Sequence, residues 1–285
     1  MKLEITPLDA PLGAMVRGWN PKAELSFDDL GLLRQAMHEH LVLVFRGHAT
    51  PTDAELVRFA GRFGELQKAA EMFGDLNPIA EILPVNNLRD DDGAPKGTGE
   101  SMALEWHSDY SFQAVVGKES FLEAVELPRK NGPRTYFCSQ YAALERLPRT
   151  TVEKLRRLTA YHSLGENYRE GFRDKRDYAS QGAEHPVILR HPDTGREILY
   201  VGKVSTRHII GMPKDESDVL VKHLVDHSTQ PESVYAHDWQ VGDFVVFDVL
   251  GTLHSRDAWD PAERRVMRQL STLWTPPARE AHAAA

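Results

Sequence analysis

Two His-x-Asp triplets, at 107–109 and 191–193, are the first feature of this sequence that could bind a metal ion. The chain has 13 histidines, so about one such triplet is expected by chance, and the flanking residues must distinguish the two copies. The second copy lies in RHPDTGRE, where Pro, Asp, Thr and Gly are turn-forming residues. We therefore expect Asp193 to face water in a turn, which leaves the first copy as the metal motif.

The first copy lies in EWHSDYSF, which has the composition of a β-strand. Because side chains alternate along a strand, His107 and Asp109 would lie on one face and could bind one ion. His254 follows the apolar run DFVVFDVL, where a strand end is expected to open into a loop, and it is the third candidate ligand. Two histidines and one carboxylate are the ligands of non-heme Fe(II) oxygenases, and they leave three positions open for co-substrate and dioxygen.

Arg265 is a candidate anchor for a keto-acid co-substrate. It lies eleven residues after His254, at the start of the last predicted strand. The planar guanidinium of arginine can bind the distal carboxylate of a keto acid through two hydrogen bonds while the other end of the acid chelates iron. The alternative is a surface ion pair of Arg265 with Asp260 or Glu263.

Short strands with helices beside them would have to position these residues. Apolar residues at helical spacing predict helices at 26–39 and 50–66, on either side of a buried strand at 41–47. Two further helices are predicted at 141–158 and 214–228. The pattern is otherwise typical of an antiparallel sandwich or barrel, mainly β with flanking helices. Its other predicted strands are 105–112, 120–127, 134–140, 185–191, 196–202, 243–250 and 265–274.

Two polar segments predict long loops. Residues 88–101 are rich in Gly, Asp and Pro and are typical of a surface loop. Residues 165–184 are dense in charge and glycine and poor in aliphatic residues. This second segment is either a lid over the site or an ordinary solvated loop.

The composition disfavours several classes of function. A net charge of -8 disfavours binding to nucleic acid or anionic lipid, and no apolar run approaches the roughly 20 residues of a membrane span. The N-terminus lacks the apolar stretch of a secretory signal, and Cys138 is the single cysteine. We therefore expect a cytoplasmic protein without an internal disulfide or a cysteine-based zinc site. The 285 residues fit one domain spanning 1–285.

At these residues the sequence resembles the taurine and 2,4-dichlorophenoxyacetate (TauD/TfdA-type) family of Fe(II)/2-oxoglutarate-dependent dioxygenases. LVLVFRGHATPTDAELVRFAGRFGEL is similar to the N-terminal block of the family, and WHSDYSF is similar to its first metal motif. NGPRTYFCSQYAALERLP resembles the segment that carries the co-substrate threonine, here Thr135. The resemblance implies a double-stranded β-helix, or jelly roll, in which His107, Asp109 and His254 bind Fe(II), while Thr135 and Arg265 bind 2-oxoglutarate.

The sequence departs from the family near the expected site. Before the distal histidine the family usually has Trp-Asp-Asn-Arg, whereas this chain has FDVL at 247–250. Members that bind sulfonates or aryloxyacetates place a second arginine where this chain has Gln269, which suits a neutral hydroxyl or amide on the substrate. Lys68 or Glu71, in the segment where the family contacts substrate, and Tyr110 are further candidate substrate contacts.

The resemblance implies oxidation of a small organic molecule by O2, with 2-oxoglutarate decarboxylated to succinate and CO2. Hydroxylation of a C–H bond is the expected outcome, but desaturation, ring formation and oxidative cleavage stay open. Two alternatives are a cupin-like metal dioxygenase that needs no keto acid and a non-catalytic jelly-roll binding module. Arg265 favours the first interpretation, because neither alternative has a keto acid to bind. Family members often self-associate, so the resemblance is also compatible with a homo-oligomer.

Overall fold

The fold is built mainly from β-strands, most of which form two facing sheets, while β8 to β12 form two small additional sheets. Helices pack outside the facing sheets. A computed structural model describes residues 2–130, 132–164 and 182–276. In chain order the strands are β1 (Glu4–Pro7), β2 (Ala14–Arg17), β3 (Val42–Phe45), β4 (Leu83–Asn86), β5 (Leu104–His107), β6 (Val116–Glu126), β7 (Thr135–Ser139), β8 (Thr159–Ser163), β9 (Gly182–Pro186), β10 (Ile188–Arg190), β11 (Glu197–Leu199), β12 (Thr206–Ile209), β13 (Val234–His237), β14 (Phe244–Asp248), β15 (Thr252–Arg256) and β16 (Val266–Trp274). The α-helices are α1 (Phe27–His40), α2 (Asp53–Ala60), α3 (Ala69–Phe73), α4 (Gln140–Glu145), α5 (Arg149–Leu155) and α6 (Lys214–Ser228).

The larger sheet has the strand order β1-β2-β3-β14-β6-β16-β4, and the facing sheet has the order β13-β7-β15-β5. Neighbouring strands are antiparallel, except that β2 pairs with β3 in parallel. Most neighbours are distant in sequence, as when β14 lies between β3 and β6. This arrangement confirms the predicted class, mainly β with flanking helices in a jelly roll. Among the described residues, no helix has the length and apolar character needed to cross a membrane.

Strand β14 shows why its sequence is apolar at consecutive positions. Phe244 and Val246 face a core shared with helices α1 and α2, whereas Val245 and Phe247 face the core between the sheets. A strand that is covered on both faces needs apolar residues on both. Strand β3, which pairs with β14, divides its residues between the same two cores in the same way.

Local capping signals account for where the helices begin and end. Ser26 caps α1 by accepting a hydrogen bond from the backbone N–H of Asp29 (3.1 Å), and Thr52 starts α2 with a capping box. Helix α2 ends at Ala60 rather than at the predicted residue 66. The helix predicted at 141–158 is two helices, α4 and α5, because Pro148 cannot continue a helix. Helix α6 confirms the prediction for 214–228.

The two predicted loops have different outcomes. Residues 88–101 contain no helix or strand, which confirms the surface loop. Of the segment predicted at 165–184, residues 165–181 lie outside the described residues. Its last three residues, 182–184, belong to β9 and are paired with β8.

We expect Phe244→Ala to lower the free energy of unfolding by about 3–5 kcal/mol, because it removes a ring from a closely packed core. Phe244 is fully buried, and its ring centroid lies 5.1 Å from that of Trp19 and 5.4 Å from that of Phe59. Denaturant titration followed by tryptophan fluorescence measures the loss. The control is Phe27→Ala, for which about 1 kcal/mol or less is expected because Phe27 is 85% exposed. Similar losses for both variants would contradict this description of the core.

Candidate active site

Three side chains converge at one point between the sheets. The Nε2 atom of His107 lies 3.5 Å from Oδ1 of Asp109, and Nε2 of His254 lies 3.6 Å from the same oxygen. These separations are longer than ordinary hydrogen bonds and close to the roughly 3 Å between adjacent ligands bonded to one ion. Within the described ranges, no other group of three His, Cys, Asp or Glu side chains has ligand atoms this close together.

The pairing of β15 with β5 positions the two histidines. His254 lies in the middle of β15, directly opposite His107, the last residue of β5. Their ring centroids are therefore only 4.0 Å apart. The expectation that His254 follows a strand end is wrong, because the chain turns at residues 249–251 and returns to the smaller sheet as β15.

Asp109 reaches the site through a turn. The strand predicted at 105–112 ends at His107, and Asp109 and Tyr110 lie in a turn. Tyr110 then adopts a left-handed conformation with φ of 58°. The neighbouring strand β6 has Gly117 at this point, where a Cβ atom would lie 3.0 Å from the carbonyl oxygen of Asp109. The turn, and not strand alternation, thus places the carboxylate beside the imidazoles.

Different contacts orient the two imidazole rings. Nδ1 of His107 lies 2.8 Å from the carbonyl oxygen of Glu105, which directs Nε2 towards Asp109. The ring of His254 packs against Phe247 and Phe137, with centroid distances of 4.9 and 6.1 Å. Packing therefore fixes the second ring, whereas a hydrogen bond fixes the first.

The charges of the group suit a divalent cation. Burial, followed by repulsion from His107, lowers the pKa of His254 to about 3, so its imidazole is neutral, as metal ligation requires. Burial raises the pKa of Asp109, but His254, His107 and Gln269 together outweigh burial, and the pKa lies below its usual value. The donor set is two imidazole nitrogens and one carboxylate, the set that fits Fe(II) with open positions.

A cavity of about 170 Å³ adjoins the three ligand atoms. One group of lining residues is polar or cationic and comprises Thr135, Arg256 and Arg265. A second group is apolar and comprises Phe73, Leu83, Val85, Phe112 and Leu164, which belong to one hydrophobic cluster together with Tyr110. The cavity thus offers positive charge for an anionic co-substrate and apolar surface for a second molecule.

Arg265 is a buried cation in this cavity. It is 2% exposed, and its Nε atom has no hydrogen-bond partner among the described residues. The alternative of a surface ion pair with Asp260 or Glu263 is wrong, because the side chain packs inside, with its guanidinium carbon 5.5 Å from the ring centroid of Trp259. Burial and the nearby Arg256 lower the pKa of Arg265 to about 9, so the group remains charged at neutral pH. A buried guanidinium of this kind fits the carboxylate of a keto acid.

Two residues at this end of the cavity were not predicted from the sequence. Arg256 lies two residues after His254 on β15 and directly opposite Thr135 on β7. Its spacing from His254 would have indicated a shared face had β15 been recognised as a strand. Trp239 donates a hydrogen bond from Nε1 to Oγ1 of Thr135 (2.9 Å), and no sequence signal pointed to it.

The candidate substrate contacts divide into three cases. Tyr110 lines the cavity and is 6% exposed. Gln269 also lines the cavity, but its amide is hydrogen-bonded to Asp109. Lys68 and Glu71 do not line the cavity, and both side chains are more than half exposed. A contact of Lys68 with substrate therefore stays a prediction that the cavity lining does not support, since helix α3 contributes Phe73 to that lining.

The second His-x-Asp triplet lies away from the site. Asp193 is in the turn between β10 and β11, as predicted, but its side chain is only 33% exposed. Instead of facing water, its Oδ2 atom forms an ion pair with Nζ of Lys118, at a distance of 2.6 Å. His191 is buried 3.4 Å from Asp248. Both side chains of the triplet are thus used in packing and ion pairing.

Comparison with known proteins identifies relatives along nearly the whole chain. Residues 4–271 match the family model "Taurine catabolism dioxygenase TauD, TfdA family". The chain is 38% identical to a pentalenolactone F synthase of Streptomyces arenae, over 97% of each protein. It is 31% identical to an alpha-ketoglutarate-dependent 2,4-dichlorophenoxyacetate dioxygenase of Cupriavidus pinatubonensis, over 96% of this chain and 98% of the relative.

Solved structures agree with these relatives. The structure of AAD-2 in complex with Mn(II) and N-oxalylglycine superposes with a TM-score of 0.77 at 26% identity, over 97% of this chain and 99% of that protein. A taurine dioxygenase from Burkholderia xenovorans has a TM-score of 0.80 at 22% identity, over 96% and 90%, and shows the shared fold. Enzymes of the family use Fe(II), 2-oxoglutarate and O2 and act on small molecules. The chain belongs to the TauD/TfdA family and is a 2-oxoglutarate-dependent non-heme iron dioxygenase.

Proposed function

We propose that His107, Asp109 and His254 bind the iron, that Arg265 and Thr135 bind the distal carboxylate of 2-oxoglutarate, and that the enzyme hydroxylates a C–H bond of a small, mostly apolar molecule. One observation carries this proposal: three convergent ligand atoms and a buried cation line the same cavity. Neither a dioxygenase without a keto acid nor a binding module would need that cation.

The protein residues would bind and orient the co-substrate and the substrate, and they would exclude water. When bound, iron and 2-oxoglutarate supply the oxidising chemistry, in which dioxygen gives one oxygen atom to succinate and the other to the substrate as CO2 is released. Arg265 and Thr135 would fix the co-substrate by its distal carboxylate, so that the keto-acid end lies at the three ligand atoms. The apolar lining residues, among them Phe73 and Phe112, would keep water away from the reacting C–H bond.

The cavity lining supports an uncharged or weakly polar substrate. Apart from Arg256 and Arg265, the described lining residues include no cation, so an anionic substrate would have to share the arginines proposed for the co-substrate. The relative at 38% identity is named pentalenolactone F synthase, a name that denotes a lactone product. The cavity lining favours an uncharged substrate over a sulfonate or a carboxylate, and the name of this relative is compatible with a carbon skeleton that can carry a lactone.

We also propose that the chain forms one catalytic domain. The proposed ligands and co-substrate contacts come from β5, β7, β15 and the residues beside β16, which lie in the two facing sheets. Removing either sheet would therefore remove part of the site. Self-association stays a prediction, which sedimentation of the purified protein would test.

Asp109→Ala is expected to reduce succinate formation from 2-oxoglutarate at least about 100-fold, because it removes the only carboxylate of the donor set. The assay follows succinate in the presence of Fe(II) and ascorbate. Asp193→Ala is the matched control, since it removes the aspartate of the other His-x-Asp triplet and leaves the site intact. Equal losses in the two variants, or full activity of Asp109→Ala, would contradict the metal assignment.

Arg265→Ala is expected to raise the KM for 2-oxoglutarate about 10- to 150-fold, which corresponds to losing about 1.5–3 kcal/mol of charge-assisted hydrogen bonding. Arg265→Lys should recover part of this loss, because it restores the charge without the planar fork. The control is Arg264→Ala, which removes an adjacent arginine that pairs with Glu126 at the surface. An unchanged KM in Arg265→Ala would place the co-substrate elsewhere.

Trp239→Phe is expected to raise the KM for 2-oxoglutarate several-fold through Thr135. Because the Thr135 oxygen accepts the indole N–H, its own hydroxyl proton is free to point at the co-substrate. A double-mutant cycle with Thr135→Val separates this effect from general packing. Once Thr135→Val is present, Trp239→Phe should cause little further change in KM. Fully additive effects would show that Trp239 does not act through the threonine.

A further inference from the structure

The two oxygens of the Asp109 carboxylate have different surroundings. Oδ1 faces Nε2 of His107 at 3.5 Å and Nε2 of His254 at 3.6 Å. Oδ2 accepts a hydrogen bond from Nε2 of Gln269 at 2.9 Å. Only Oδ1 therefore points to the place where the histidine nitrogens converge.

Gln269 is itself held in place by a second hydrogen bond. Its Nε2 also donates to Oγ of Ser120, at 2.9 Å. Ser120 is fully buried on β6, the strand that pairs with β16. The carboxylate can only accept hydrogen bonds, so the amide atom that faces Asp109 has to be the nitrogen.

Both amide protons of Gln269 are used by these contacts. An NH2 group has two protons, and here one serves Asp109 and the other serves Ser120. The amide could donate to a substrate only by giving up one of these hydrogen bonds. This geometry argues against the expectation that Gln269 recognises a hydroxyl or amide of the substrate through its N–H.

We propose that Gln269 is a positioning residue for the metal-binding carboxylate. By holding Oδ2, it makes Asp109 offer a single oxygen to the ion. A carboxylate that is free to rotate can bind a cation through both oxygens, which would occupy a position that 2-oxoglutarate or O2 needs. The inference rests on the proposed function and gives Gln269 a role that it exerts through Asp109.

The central test measures metal binding without turnover. Gln269→Met removes the N–H donor with little change of shape, and Co(II) serves as a spectroscopic probe in the presence of N-oxalylglycine, in which an NH group replaces a methylene of 2-oxoglutarate. We expect Co(II) affinity to fall about 10- to 100-fold, as for other residues that orient a metal ligand. The d–d absorption bands should also change, because Asp109 would bind in a different mode.

Two further variants separate this role from folding and from substrate binding. Ser120→Ala removes the second hydrogen bond of Gln269 and should weaken Co(II) binding in the same direction but less. Gln67→Met is the matched control, because Gln67 is buried outside the cavity and its side-chain Nε2 donates to the backbone carbonyl oxygen of Lys68. If a thermal melt shows that Gln269→Met is unfolded, Co(II) binding is measured with Ser120→Ala and Gln269→Asn instead.

Each outcome of the Co(II) measurements has a different consequence. Wild-type Co(II) affinity and bands in Gln269→Met would overturn the proposal. Failure of the wild-type protein to bind Co(II) would overturn the proposed function, and this inference with it. Loss of Co(II) affinity in Gln269→Met alone supports the positioning role.

Discussion

Because β15 pairs with β5 in a register that sets His254 opposite His107, the two imidazoles meet without a loop having to bring them together. Strand β15 also pairs with β7 on its other side, which places Arg256 opposite Thr135. One strand therefore connects the proposed metal end of the site with the proposed co-substrate end. A slip of one residue would turn His254 to the opposite face of the sheet, so the chemistry depends on this register.

Arg265 shows how the fold accommodates a group that is unfavourable in the absence of ligand. An unpaired buried charge costs several kcal/mol, and no carboxylate lies within ion-pair distance of this guanidinium in the part of the chain that the structure describes. Contact with the Trp259 ring offsets some of that cost. The remainder favours binding of an anion, which the proposed contact with the co-substrate carboxylate would supply.

Local patterns in the sequence determined much of the fold. Apolar spacing predicted α1 and α6, and consecutive apolar residues predicted β3 and β14, because these signals act over a few neighbouring residues. The spacing and types of His107, Asp109 and His254 indicated which metal chemistry is available, and motif order along the chain indicated the family. Strand β15 was not predicted, because its five residues TLHSR carry no strong β signal.

The sequence by itself determined which donors the chain carries and the chemistry that they could perform together. Only the tertiary structure decided which of them meet, because strand pairing joins residues that are far apart in the chain. It brought Trp239 to Thr135 and Gln269 to Asp109, left Lys68 outside the cavity lining, and replaced strand alternation by a left-handed turn at Tyr110. No local pattern encodes such contacts, since each depends on the position of a second segment.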